Sequence, residues 1–290
     1  MSMTKKLIVN ADGFGFGPGA TQGILDALDE GKFITSVSVN ANFPDAARIQ
    51  EIVQRYPQIS IGVHLNPLVG RPCLPRERVP SLVGEDGCFQ EKKFIRLLKS
   101  GHISISELEK EFEAQIDRVK DLAGDRLTHL DSQANSHLDY FDLFLKLARK
   151  RDIRRMRNNA SLICLEAADP LRSRSLTYLR RPHVCAVHGY RRYQMQKARR
   201  SGLRMADALI TVGYAGTGNK TDPENWRRIL HHIPEGTFEV YCHPAYPDAT
   251  LQQWAVYCGE RKAELEILRR QWLVTEAAAS GVALINFHDI

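Results

Sequence analysis

A chain of 290 residues with 43% apolar content can bury a substantial core and has the size of one α/β barrel. No run approaches the length of a membrane-spanning helix, and the amino terminus lacks the charged-then-apolar order of a secretory signal, so one soluble, cytoplasmic domain over residues 1–290 is expected. The net charge of +6 is uneven: Arg149 to Arg204 carries 16 Lys and Arg against three acids, whereas the rest of the chain has 24 basic and 31 acidic residues. Such a block suits an anionic membrane surface or the phosphate carrier of a glycolipid, with nucleic acid the least expected partner and a plain solvated lobe the alternative.

In chain order, Lys6–Asn10 reads as a first strand that delivers Asp12 into the glycine-rich turn Gly13 to Gly19. That turn has G-x-G spacing without a G-x-G-x-x-G register, and Pro18 removes a backbone donor. It reads as the entry to a helix with Ile24, Leu25 and Leu28 rather than as a dinucleotide site. Strands are predicted at Ile34–Ala41 and Ile59–His64, followed by a long proline-containing loop from Pro67 to Glu91. A capping box, Ser106 with Glu109, introduces a helix with Leu108, Phe112, Ile116, Val119 and Leu122 that Gly124 closes. Further strands are expected at Leu127–Asp131, Ala160–Leu165, Ala208–Val212, Phe238–His243 and Val282–Phe287. Asp222-Pro223 starts a helix with Trp226, Ile229 and Leu230, and one long helix is expected from Glu260 to Ala279. Strands alternating with helices predict a single (β/α) barrel of seven or eight mostly parallel strands with outer helices.

The six cysteines show no C-x-x-C pair or repeated short spacing, which favours reduced thiols. Cys242 adjoins His243, but neighbouring strand residues face opposite ways, so an inert buried Cys242 is expected.

Asp12, His64, Asp131 and His243 all stand at or just past strand ends. Parallel barrel strands gather such residues at one mouth. Taken singly, each reads as a turn or hydrogen-bonding residue. Together, the segments Asn10 to Gly15, Gly62 to Asn66, Thr128 to His137 and His243-Pro244 resemble, in order, the motifs of the YdjC-like carbohydrate deacetylases. The resemblance runs over nearly the whole chain, through Gly281 to Phe287. It implies an amide hydrolase that removes an N-acetyl group from an amino sugar, free or lipid-linked.

The resemblance casts Asp12 as base and His243 as proton donor. It casts His64, Gln133 and His137 as positions around a divalent metal, Mg or Zn, and Asp131, Asn66 and Asn135 as groups that support ligands or touch substrate. Two positions depart from the family pattern. Gly13 stands where a ligating Asp is usual, and Gln133 where a ligating His is usual, while Asn135 replaces a further His. A degenerate or rearranged metal site is therefore expected. A metal-independent enzyme that uses Asp12 with a His is the alternative, as is a silent glycan binder with aromatic platforms among Phe14, Phe16, Tyr140, Tyr214 and Tyr246.

Overall fold

The computed structural model describes residues 4–160, 162–164, 182–211, 222–255 and 257–290. Its strands are β1 (Lys5–Phe14), β2 (Ser36–Val39), β3 (Ser60–Leu65), β4 (Leu127–Ser132), β5 (Arg155–Met156), β6 (Leu162–Cys164), β7 (Ala208–Thr211), β8 (Gly236–Cys242) and β9 (Val282–Ile285). They lie in the order β5-β4-β3-β2-β1-β8-β7-β6, all paired in parallel, with β9 alongside the first half of β1. This is the expected α/β barrel. β5 and β6 form the two edges of the curled sheet. Across that seam Arg155 pairs with Arg204 just ahead of β7, and Asn158 donates to the carbonyls of Ala206 and Asp207.

The eight expected strands are present, and two residues of β5 join them, a run too short for alternation to be read. β1 extends four residues beyond Asn10, because a bulge between Asp12 and Phe14, with Gly13 at φ 95°, keeps it paired with β2. The predicted strand ends Leu165 and Val212 lie outside the described residues, as does Tyr214.

Helices α1 (Pro18–Asp26), α2 (Ile49–Arg55), α3 (Glu91–Lys99), α4 (Ile105–Ala123), α5 (Phe141–Lys150), α6 (Pro182–Arg200), α7 (Pro223–His232), α8 (Ala249–Trp254), α9 (Gly259–Leu268) and α10 (Trp272–Ala279) surround the sheet. The cap of α4 is Ser104 rather than Ser106: Ser104 is extended, and its hydroxyl accepts from the Glu107 amide. Asp222 caps α7 as expected. The single helix expected from Glu260 to Ala279 is two, α9 and α10. The carbonyl of Leu268 approaches Gly31 so closely that a Cβ there would lie 1.7 Å from it, and Arg269 turns out to pair with Glu30.

Strand alternation sorts the residues into two populations. Leu7, Val9, Ala11, Val37, Val39, Ile61, Val63, Leu65, Leu130, Phe238, Val240 and Cys242 join the core beneath the helices. Burying each larger one contributes about 1.5–3 kcal/mol. The alternate positions face the barrel interior and are mostly polar: Asn10, Asp12, Ser36, Ser38, Ser60, Gly62, His64, His129, Asp131 and Glu239 are all buried. Branched side chains commonly fill such a barrel. Here a hydrogen-bonded column takes their place.

Gly62 is required by this packing, since a Cβ would sit 2.2 Å from His129 Nε2. The His129 ring stacks on Phe287, centroids 3.7 Å apart, so the segment after β9 floors the barrel.

Candidate active site

The parallel register sets the functional layer. Asp12 lies opposite Ser38 and His64 opposite Asp131, while Arg157 follows β5 and Glu239 points inward from β8. Arg157, 2% exposed, joins them. Its Nη1 and Nη2 donate to the two carboxylate oxygens of Asp12 at 2.7 and 2.6 Å, and its Nε donates to Glu239 Oε1 at 2.6 Å. Nη2 also lies 3.0 Å from Asp131 Oδ2.

One guanidinium therefore serves three buried carboxylates, and they divide by environment. Burial pushes Glu239 up to about 7, only partly opposed by Arg157, and its Oε2 has no hydrogen-bond partner. Burial opposes ionisation of Asp131 as well, but Arg157 and His64 hold it well below the usual carboxylate range.

His64 Nδ1 meets Asp131 Oδ1 at 2.8 Å, and Ser38 donates to Asp131 Oδ2 at 2.9 Å. This fixes the ring and leaves Nε2 as its other nitrogen. Burial disfavours a charged His64, but the adjacent Asp131 outweighs it and raises the imidazole pKa. On the far side, His243 Nε2 lies 4.0 Å from Asp12 Oδ2 and Nδ1 lies 3.1 Å from the Tyr257 hydroxyl. A cavity of about 300 Å³ opens above this layer, lined by Asp12, Gly13, His64, Gln133, Asn135, Arg157, Tyr241, His243, Trp254, Tyr257 and Arg261 among others.

The sequence model of a family described as YdjC-like protein matches residues 6–278. The chain belongs to the YdjC-like family. A carbohydrate deacetylase of Enterococcus faecalis is 31% identical over 300 residues, covering 99% of this chain and 98% of the relative. The carbohydrate deacetylase of Halalkalibacterium halodurans is 30% identical, with coverage of 91% and 95%. A chitooligosaccharide deacetylase of Yersinia pestis is 28% identical, covering 99% of this chain and all of the relative. Among solved structures, a putative cellobiose-phosphate cleavage protein of Enterococcus faecalis superposes with a TM-score of 0.76 at 29% identity, covering 99% of this chain and 98% of the other.

Among the residues read from sequence, this YdjC-like chain brings Asp12, His64, Gln133, Asn135 and His243 to the cavity, with Asp131 directly beneath His64. Asn135 has φ 58° and its Oδ1 accepts from Asn159. Asn66 and His137 do not line the cavity. Asn66 is fully buried and anchors the loop after β3, its amide bonding Asn42, Leu68 and Val69. His137 is fully buried behind the layer, Nδ1 on Ser132 and the ring against Phe144, and burial takes its pKa down to about 3.

Asp12, His64 and Asp131 offer donor atoms all within 4.8 Å of one another, the composition and closeness of a cation site. The carboxylate oxygens already accept hydrogen bonds, however, while His64 Nε2 is left toward the cavity. Arg157 bonds both oxygens of Asp12, and His64, Ser38 and Arg157 take those of Asp131. Gly13 adds no donor, and Gln133 Oε1 faces Asn40 Nδ2 at 3.4 Å. As arranged, the two carboxylates are charge-balanced by one guanidinium, which weakens what they would offer a metal ion.

Sequence reasoning missed Arg157, Glu239, Ser38, Tyr257 and Arg261. Glu239 did carry a signal: an acid between Phe238 and Val240 in a strand must face the polar side.

Proposed function

We propose that this protein is a carbohydrate N-deacetylase that works without a tightly held metal. The observation that carries the reading is the convergence of His64, Asp12 and His243, from three strands, on one cavity. The names of the relatives support the substrate class.

In the proposed reaction, His64 Nε2 takes a proton from water while its oxygen bonds to the acetamide carbon and the carbonyl π pair moves onto oxygen. Asp131 holds the charged His64 ring. Asp12 has both oxygens tied by Arg157, one of them also by Asn10. Its role is to sit beside His243 and stabilise that imidazolium. Collapse of the tetrahedral oxyanion breaks the C–N bond, the pair goes to nitrogen, and His243 delivers the proton. The products are acetate and a free amino sugar.

The test is acetate release from N-acetylated amino sugars and chitooligosaccharides, before and after exhaustive chelation. Release that survives chelation and is lost in His64→Gln supports the proposal. Release abolished by chelation and restored by zinc or magnesium overturns the metal-independent part.

The basic block bears on a membrane-held substrate. Within it Arg157 is buried, Lys150 and Arg151 pair with Glu113 and Asp117, and Arg155 and Arg204 reach Ile290. What favours an anionic lipid surface is α6, which has no acidic residue and exposes Val187, Tyr190 and Tyr193 beside Arg191 and Arg192. Vesicle binding that needs acidic lipid, weakens with salt and falls in Tyr190→Ser/Tyr193→Ser would support docking. Among the described residues, no helix is long and apolar enough to cross a membrane.

A further inference from the structure

Arg261 reaches the cavity from α9 and is 7% exposed. Arg157 is saturated by carboxylates, whereas Arg261 Nε is buried with no hydrogen-bond partner and the guanidinium lies over the rings of Tyr257 and Phe16, at 4.9 and 5.9 Å. Ring faces stabilise a cation without occupying its in-plane N–H donors. Those donors have a direction. Arg261 Nη1 lies 3.9 Å from the point where a side chain at residue 13 would begin, and Asn40 Oδ1 lies 3.9 Å from the same point. Residue 13 is Gly, so the space before the guanidinium is open and adjoins Asp12. Asn40 Oδ1, buried without a partner, is an acceptor, so the donors offered to this space are those of Arg261.

A desolvated cation that faces an empty space is an anion site. We infer that Arg261 is the oxyanion-binding group of this enzyme, and that the gap left by Gly13 receives the carbonyl oxygen of the acetamide and afterwards an oxygen of the acetate product. This rests on the deacetylase reading for its catalytic part only. In the attack described above, the carbonyl π pair becomes an oxyanion at the Arg261 N–H groups, and on collapse the same oxygen becomes part of the acetate carboxylate. Coordination of acetate requires no turnover, so the binding role is measurable by itself.

The test uses the whole protein and acetate as probe, followed by saturation-transfer NMR on the acetate methyl at low salt. Saturable binding is expected in the parent, with at least tenfold weakening in Arg261→Met. Gly13→Asp keeps the arginine but fills the gap and supplies it with a fixed carboxylate, so it too should lose binding, and it covers the case in which Arg261→Met fails to fold. In turnover, Arg261→Met should lower kcat by about 10²–10³-fold with little change in KM. Acetate binding that is absent in the parent, or equal in the parent and both variants, overturns the inference. Arg261-dependent acetate binding by a protein that deacetylates no amino sugar would uphold the anion site and sink the deacetylase reading. Chelator-resistant deacetylation that is indifferent to Arg261→Met would do the reverse.

Discussion

Arg157 Nε and Glu239 Oε1 are 2.6 Å apart inside the barrel, yet Glu239 is lifted to about 7 by burial. The pairing is therefore pH-dependent in a defined sense. An acid whose folded pKa exceeds its unfolded value of 4.5 takes up a proton on folding between the two. Its contribution is full below 4.5 and lost as pH rises through about 7. The parent should lose stability relative to Glu239→Gln between those limits, by up to about 1.4 kcal/mol per pH unit. Urea midpoints of both proteins at pH 5, 6, 7 and 8 check it, and parallel curves would show that Glu239 stays ionised.

Removal of Arg157 is a harsher change. Arg157→Met leaves Asp12, Asp131 and Glu239 in a dry interior without their cation, and about 3–5 kcal/mol of stability should go. Arg157→Lys restores the charge but not the fork that spans both Asp12 oxygens, so its stability should fall between the two. Denaturant titration ranks the three proteins. An Arg157→Met protein as stable as the parent would mean that the carboxylates find other partners.

His64 and Asp131 should behave as a unit in turnover. His64→Gln is expected to cost about 10²–10⁴ in kcat. Asp131→Asn should also lower kcat and shift the acid limb of the pH–rate profile downward, because the group that raises the His64 pKa is gone. His137→Asn should leave the profile in place, since His137 faces Phe144 and not the cavity. A profile unmoved by Asp131→Asn would remove His64 from the role of base.

Gly13 and Gln133 give a test of the site's latent chemistry. Zinc should bind the parent weakly. Gly13→Asp alone should change this little, because the new carboxylate meets Arg261 and stands at φ 95°, a backbone strain of about 1–3 kcal/mol. Adding Gln133→His supplies a second new donor beside His64, and zinc affinity should rise at least tenfold by isothermal titration. No gain in the double variant would refute the placing of residues 13 and 133 at the family's ligand positions.

The sequence made the barrel legible because apolar runs of strand length alternate with capped helices. It also exposed Asp12, His64 and His243, which end such runs in motif context. Arg157 was hidden for a physical reason: charge counting along the chain cannot separate a guanidinium turned into a barrel from an exposed neighbour such as Arg154. Arg261 sits on a helix whose alternation shows a buried face but not what lies across from it. The break between α9 and α10 falls where Leu268 approaches Gly31, a contact between residues far apart in the chain.

His129 and Phe287 are stacked, although strands β5 to β9 are synthesised between them. The polar interior is sealed from below only when the last strand and the turn after it are in place. A nascent chain halted before Phe287 would present an open, wettable barrel with Arg157, Asp131 and Glu239 hydrated rather than locked. Competence of the cavity is thus tied to the presence of Phe287, and a proteolytic cut between β9 and Phe287 should silence a site lying at the opposite end of the barrel.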